Sequence, residues 1–259
     1  MTELVETDLC VIGGGSGGLA VAAGASQMGA RVVLIEKGKM GGDCLNYGCV
    51  PSKSLIAAAH TAHNVRHGGH FGVNGQEPQV DFLKVHDHIY GVIGTIAPHD
   101  SVERFEGLGV RVIQAAARFT GPREIEADDI KIRAKRFVIA TGSSPAVPPI
   151  LGINDVPYLT TETIFDLTER PEHLIVIGSG PIGTELAQAH RRLGAKVTIL
   201  GRGRLLPKDD PDAVDVVRQR LRADGVVLHE GATIDSVMKR GNGVAVQVKY
   251  RDGEQESVQ

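Results

Sequence analysis

The chain of 259 residues has no tryptophan, only 3 cysteines, and aromatic residues at 4%. Three cysteines cannot build a disulfide framework, so a small stapled scaffold is excluded. Neither sign of charge dominates, since 28 Lys and Arg face 31 Asp and Glu, a net charge of −3. Without a long basic run, neither nucleic acid nor a membrane surface is an expected partner. Apolar residues at 42% and charged residues at 23% are globular values, which excludes wholesale disorder. Leu9–Ala30 carries no charge and is long enough to cross a bilayer. Its seven glycines, and the acidic residues Glu3, Glu6 and Asp8 before it, speak against a membrane helix or an export signal. The expected compartment is the cytoplasm, where a permanent structural disulfide is unusual.

What the chain holds in excess is glycine, 33 residues with no Gly-X-Y period. That is nearly twice the usual share of about 7%. Much of it belongs to a repeat. Gly13, Gly15 and Gly18 follow the apolar pair Val11–Ile12, and Gly178, Gly180 and Gly183 follow Val176–Ile177, 165 positions later. The offset continues without a gap, for Gly29-Ala30-Arg31-Val32 matches Gly194-Ala195-Lys196-Val197. Each copy reads as a strand, a Gly-x-Gly-x-x-Gly turn, a helix of small residues and a second strand. That is the βαβ unit that binds a dinucleotide. The first glycine allows the tight turn, the second lets backbone approach a pyrophosphate, and the third lets helix and strand pack closely. The helix N-terminus then offers free N–H groups and a partial positive charge.

The two copies differ at the end of the second strand. Glu36 stands there in the first, where a carboxylate binds both ribose hydroxyls. Gly201 stands there in the second, followed by Arg202 and Arg204. Arginines attract a 2′-phosphate that a carboxylate repels. The first unit is therefore expected to take a nucleotide with a free ribose, and the second to prefer NADPH to NADH. A solvated basic loop is the plainer reading of the two arginines.

Residues 53–67 read as a helix, and Val110–Ile113, Lys131–Arg133, Phe137–Ala140, Val226–Leu228 and Val244–Tyr250 as strands. Glu256–Gln259 reads as the start of another. The Pro-rich stretch Ser144–Pro157 is the linker candidate, which gives domains at 1–150 and 151–259. The expected class is α/β, with two Rossmann-like dinucleotide-binding domains and an antiparallel β-meander.

Cys44 and Cys49 lie five positions apart in the segment Gly41–Lys53. Across a regular helix that spacing is roughly 8–9 Å, and a disulfide needs less than about 7 Å. A bond between them requires an irregular helix start, for which Gly48 and Pro51 are at hand. Near a helix N-terminus such a bond is easily reduced and its thiolates are stabilised. Two unrelated buried thiols are the plainer alternative, and no recognised zinc spacing accompanies them. Cys10 reads as a small core residue. His60, His63, His67 and His70 are spaced for one helical face, as a polar face or a metal site, with Gly68 and Gly69 ending the helix before His70.

The segment Gly41–Lys53, set between two dinucleotide turns, resembles the redox-disulfide motif of the flavin-dependent pyridine nucleotide–disulfide oxidoreductases. Dihydrolipoamide dehydrogenase, glutathione reductase and mercuric reductase belong to that family. Ala140-Thr141-Gly142 is similar to the family's loop at the domain crossing, and the likeness covers essentially the whole chain. It implies FAD on the first unit, held through Gly13, Gly15, Ser16, Gly18, Glu36, Lys37, Gly42, Lys53, Ala117, Thr141 and Gly142. It implies NADPH on the second, at Gly178, Gly180, Gly183, Arg202 and Arg204. Cys49 would lie against the flavin as the charge-transfer thiolate, and Cys44 would exchange with substrate. Lys53 and Glu185 match a pair beside the flavin, where a cation favours the reduced, anionic ring.

Ala140–Pro149, Glu185–Ala189 and the small residue at 201 before Arg202 lean toward mercuric reductase-like members. Alternatives are a dihydrolipoamide dehydrogenase using NAD, a flavin-linked NADPH oxidase or quinone reductase, and a non-catalytic nucleotide-binding fragment. The expected substrate is a small molecule or a disulfide. The chain is expected to stop within its nucleotide domain. The family's dimerisation domain, with its catalytic His–Glu pair, would lie outside it, and the complete protein would be a homodimer.

Removing the Arg202 charge should cost about 1.5–3 kcal/mol in NADPH binding, or roughly ten- to hundredfold. A titration of Arg202→Glu is expected to show that loss for NADPH and a smaller one for NADH; equal losses would remove the basis for the preference.

Overall fold

The computed structural model describes residues 3–250 and 253–259. In chain order the first elements are β1 (Glu3–Ile12), α1 (Ser16–Gln27), β2 (Val32–Ile35), α2 (Gly42–Asn46), α3 (Cys49–His67), α4 (Phe82–Ile96) and α5 (Val102–Gly107). Then come β3 (Val110–Ile113), β4 (Ala117–Gly121), β5 (Glu124–Ala127), β6 (Ile130–Ile139) and β7 (His173–Ile177). The chain continues with α6 (Pro181–Arg192), β8 (Lys196–Gly201), α7 (Pro211–Ala223), β9 (Val227–Glu230), β10 (Thr233–Arg240), β11 (Gly243–Lys249) and β12 (Gln255–Val258). Two compact units result, Met1–Pro51 with Ile89–Pro145, and Ser52–His88 with Ala146–Gln259. Among the described residues no helix is long and apolar enough to cross a membrane.

The first unit is built on a six-stranded sheet in the order β3-β2-β1-β6-β5-β4. β1, β2, β3 and β6 run parallel, and β6, β5 and β4 form an antiparallel meander. Alternation along β1 divides the core. Leu9 and Val11 pack with Leu19 and Ala22 of α1, Leu34 and Phe105, while Cys10 and Ile12 face Val33, Ile35, Ile125 and Ile132. β2 is buried at all four positions, as a central parallel strand covered on both faces must be.

The strands expected at Lys131–Arg133 and Phe137–Ala140 are one ten-residue strand, β6. The charges at Lys135 and Arg136 hid its continuity. Pairing runs on through Thr7↔Ala134 and Leu9↔Arg136, and the Lys135 ammonium reaches Asp8 at 2.8 Å. Ala140 lies just past its end. The helix expected from Lys53 already begins at Cys49. β9, β11 and β12 lie within one or two residues of the ends read for them, as is usual for element boundaries.

In the second unit, β7-β8-β9 form a parallel sheet and β10-β11-β12 an antiparallel one. Ala187, Val197, Ile199, Val214 and Leu221 fill the side of α6 and α7. Leu200 packs instead with Val237, Val246, Val248 and Val258 of the meander. Asp210 caps α7 by accepting the N–H groups of Asp212 at 2.9 Å and Ala213 at 3.4 Å. At the far end of that helix, Asp224 has a side chain only 2% exposed. It accepts from Arg192 Nε and Gln188 Nε2, each at 2.8 Å, and faces His63 Nδ1 at 3.8 Å. One carboxylate thus links α3, α6 and α7. A buried carboxylate is tolerated because it is paired and hydrogen-bonded.

His190 of α6 is 1% exposed and donates Nδ1–H to Leu186 O at 2.8 Å. Burial keeps the ring neutral and lowers its pKa from 6.5. The unfolded chain therefore takes up a proton that the folded chain refuses, and stability is lost as pH falls from about 6.5 through the lowered folded value. Thermal melts between pH 7 and pH 5 should show a shallower pH slope in His190→Asn than in the wild type; equal slopes would place the acid sensitivity elsewhere.

Candidate functional site

The two glycine turns share one geometry. Gly13 has φ +111° and Gly178 φ +117°, values an L side chain rarely adopts. A Cβ on Gly18 would lie 1.8 Å from Gly13 O, and one on Gly183 2.5 Å from Gly178 O, so each helix start presses onto its own turn. α1 and α6 are N-capped by Gly15 and Gly180, which bring no side-chain acceptor. Their first-turn N–H groups stay available to an anion at the positive end of the helix dipole. Cβ atoms added at Gly17, Gly178 and Gly180 would meet nothing within 4 Å. The Thr184 hydroxyl, in the first turn of α6, is buried without a partner among the described residues. These donor sets fit a dinucleotide pyrophosphate at both turns.

Around the first turn the structure gathers several of the expected residues. Glu36 Oε2 accepts Gly14 N–H at 2.5 Å and its Oε1 accepts Gly38 N–H at 2.6 Å. The carboxylate thereby clamps the turn to the segment after β2 that carries Lys37. Gly41 N–H donates to Gly14 O at 2.9 Å, and a Cβ on Gly42 would lie 2.6 Å from Gly15 Cα. Ser16, the first residue of α1, is exposed, as are Thr141 and Gly142 beyond β6. Ala117 is placed differently: half-buried at the start of β4, it packs against the cluster of Cys10 and Ile125.

No disulfide joins Cys44 and Cys49 among the described residues; Cys44 is half-buried and Cys49 exposed. They lie on different helices, because α2 ends at Asn46, with Tyr47 as its C-cap, and α3 starts afresh at Cys49. Gly48 makes the break compact, since a Cβ there would be 3.0 Å from Asp43 O and 3.3 Å from Cys44 Cα. Pro51 does not contribute to the irregularity: it sits in the first turn of α3, where its missing N–H leaves no bond unmade.

Burial raises the pKa of the Cys44 thiol, helped by its hydrogen bond with the Cys49 side chain and by the negative charge of Asp100, while the Cys49 backbone N–H opposes the shift. Asp100 lies 56 positions away in sequence and no pattern marked it. The Cys10 thiol is pushed up to about 12 by burial alone, as befits an inert core residue.

In the second unit the Lys53 ammonium donates to both oxygens of Glu185, at 2.9 and 3.0 Å. The arginines after Gly201 divide their roles. Arg204 Nη2 donates to Pro207 O and Asp209 O, both at 3.0 Å, and so braces its own loop. Arg202 is exposed. Glu230, which sequence reading missed, accepts Leu205 N–H at 2.6 Å and pairs with Arg218 at 2.9 Å, fixing the same loop. His63 and His67 stack with centroids 4.0 Å apart, and His67 Nδ1 is bound to His63 O at 2.8 Å. α3 ends at His67, before Gly68. Among the described residues no group of three or more His, Cys, Asp or Glu could hold a metal ion.

One chain thus carries two dinucleotide-type turns, one of them in the same unit as a close thiol pair. The chain belongs to the pyridine nucleotide-disulphide oxidoreductase family, whose pattern matches residues 7–259. It is 34% identical to a mercuric reductase of Streptomyces lividans over 255 residues, covering 96% of this chain and 54% of the relative. It is also 34% identical to a dihydrolipoyl dehydrogenase of Halobacterium salinarum over 258 residues, with the same two coverages. Among solved structures, the HOCl-induced flavoprotein disulfide reductase RclA of Escherichia coli superposes with a TM-score of 0.80 at 28% identity, over 96% of this chain and 54% of that one. The chain spans about half the length of the curated relatives it matches.

Mild oxidation should remove two of the three titratable thiols and leave Cys10. Gly48→Ala, by forcing α2 away from α3, should slow that loss severalfold in a timed thiol assay; an unchanged rate would show that the break does not set the approach of the two sulfurs.

Proposed function

We propose that the chain is the nucleotide- and dithiol-bearing part of a flavoprotein reductase that carries electrons from NADPH to a disulfide or a thiophilic metal acceptor, as in mercuric reductases. The observation that carries this reading is the hydrogen-bonded thiol pair across the break between α2 and α3. FAD, when bound, supplies two-electron chemistry between nicotinamide and thiols. Residues 1–150 are assigned to FAD and 151–259 to the nicotinamide nucleotide. The N-terminus of α1 and the clamp of Glu36 hold the flavin nucleotide, and the N-terminus of α6 with Arg202 holds NADPH. Lys53, oriented by Glu185, would supply a cation that favours reduced flavin, and Cys49 would be the thiol that takes up its electrons.

Toward a disulfide acceptor, Cys44 as thiolate attacks one sulfur and expels the other as a thiolate. Cys49 then attacks Cys44 Sγ, which closes the Cys44–Cys49 disulfide and releases the second thiolate. Two electrons leave the dithiol and two thiols form once protons are taken up. The identities to mercuric reductases support the metal acceptor, and those to dihydrolipoyl dehydrogenases support the disulfide. A homodimer and a cytoplasmic setting complete the proposal.

The test is an anaerobic NADPH titration of the FAD-loaded chain, followed by absorption. Bleaching of the flavin band with growth of a long-wavelength band, lost in Cys49→Ser, is the expected result. A chain that takes up no FAD, or one that grows the same long-wavelength band with NADPH when Cys44 and Cys49 are both Ser, would overturn the dithiol as electron acceptor.

A further inference from the structure

The internal repeat places the same two positions side by side in both units, and the two units fill them in opposite ways. In the first, the residue between the first two glycines of the turn is Gly14 and the strand-end residue is Glu36. In the second, they are Ser179 and Gly201, each 165 positions on. A Cβ added to Gly14 would lie 3.1 Å from Glu36 Cβ and 3.2 Å from Glu36 Cγ. A Cβ added to Gly201 would lie 2.7 Å from Ser179 Oγ and 2.8 Å from Ser179 Cβ. Turn and strand end thus leave room for about one side chain between them. The first unit gives that room to the carboxylate, whose oxygen takes Gly14 N–H at 2.5 Å. The second gives it to the serine, whose hydroxyl donates to Arg204 O at 3.2 Å.

We infer that Ser179 is a specificity-determining residue. It occupies the space a ribose-binding carboxylate at 201 would need, and it ties down the loop that presents Arg202. This rests on the reading of the second unit as an NADPH site. The conflict at Cβ sharpens the inference. A serine can rotate its hydroxyl away, but its Cβ is fixed by the backbone and stays 2.8 Å from the new atom. Alanine at 179 keeps that Cβ and glycine removes it, so the two substitutions must behave differently. The loop adds a second role: Ser179 O accepts Leu206 N–H at 2.9 Å, and Leu206 holds φ +45°, a left-handed conformation in a non-glycine residue. The serine hydroxyl and its own carbonyl therefore pin the loop at Arg204 and Leu206, leaving Arg202 as the exposed cation at its start.

The experiment is a set of variants of the 259-residue chain, measured for NADPH and NADH affinity by calorimetry and for Tm. Gly201→Glu alone is expected to lower Tm and to weaken both nucleotides tenfold or more. Adding Ser179→Ala should leave both defects in place. Adding Ser179→Gly instead should restore Tm to that of Ser179→Gly alone and turn the preference toward NADH by tenfold or more. Gly201→Glu folding and preferring NADH without help from position 179, or alanine rescuing as well as glycine, would overturn the inference. Wild-type chain that does not prefer NADPH would sink the NADPH reading instead. The shared space would then still be judged by whether glycine, and not alanine, restores Tm.

Discussion

A helix start that touches the turn before it is the constraint on which both units depend. At Gly18 and Gly183 even one methyl group would collide with the carbonyl of the glycine that opens the turn. With no side chain in the way, the helix N-terminus comes down onto the strand end, and its unbonded N–H groups gather there, a donor set that suits an anion. Everything later in the site is measured from that contact: the clamp of Glu36, the crossing of Gly42 over Gly15, and the loop that follows Gly201. A dinucleotide turn is in this sense a statement about missing volume, and the chain makes it twice.

The thiol pair follows a similar logic. Two cysteines five positions apart cannot meet across a regular helix. The chain solves this by ending α2 and beginning α3 with a glycine between them. Cys44 is then partly buried, which raises its thiol pKa, while Cys49 is exposed at the start of α3. The two sulfurs share a hydrogen bond yet differ in surroundings, one half-buried and the other exposed.

Much of this was legible in the residues. The repeat gave both βαβ units, because a tight turn and a close helix demand glycine at fixed spacing, and β3 was read with its observed ends. The cysteine spacing predicted an irregular helix start, and Gly48 supplies it. What stayed hidden depended on contacts between distant segments. β6 looked like two strands because Lys135 and Arg136 interrupt its apolar pattern, while Asp8 across the sheet accounts for the lysine. Pro51 looked like a breaker but lies where a helix tolerates it. Arg202 and Arg204 looked alike, and only the carbonyls of Pro207 and Asp209 show that one of them is a strut. The assembly around Asp224 left no motif, since His63, Gln188 and Arg192 reach it from two other helices.

The pairing of β1 with β6 also governs how such a chain can be made. β1 leaves the ribosome before β6, its partner on one side, which emerges more than a hundred residues later. At about 5–20 residues per second, that edge waits roughly ten seconds with its N–H and C=O groups unmatched. Over the same interval the glycine turn, α1 and β2 are already available and can form on the other edge. The first unit therefore closes only when β6 arrives between β1 and the meander. A nascent chain stalled before Ile130 would carry a nucleotide turn beside an open sheet edge, the kind of surface that chaperones and aggregation compete for.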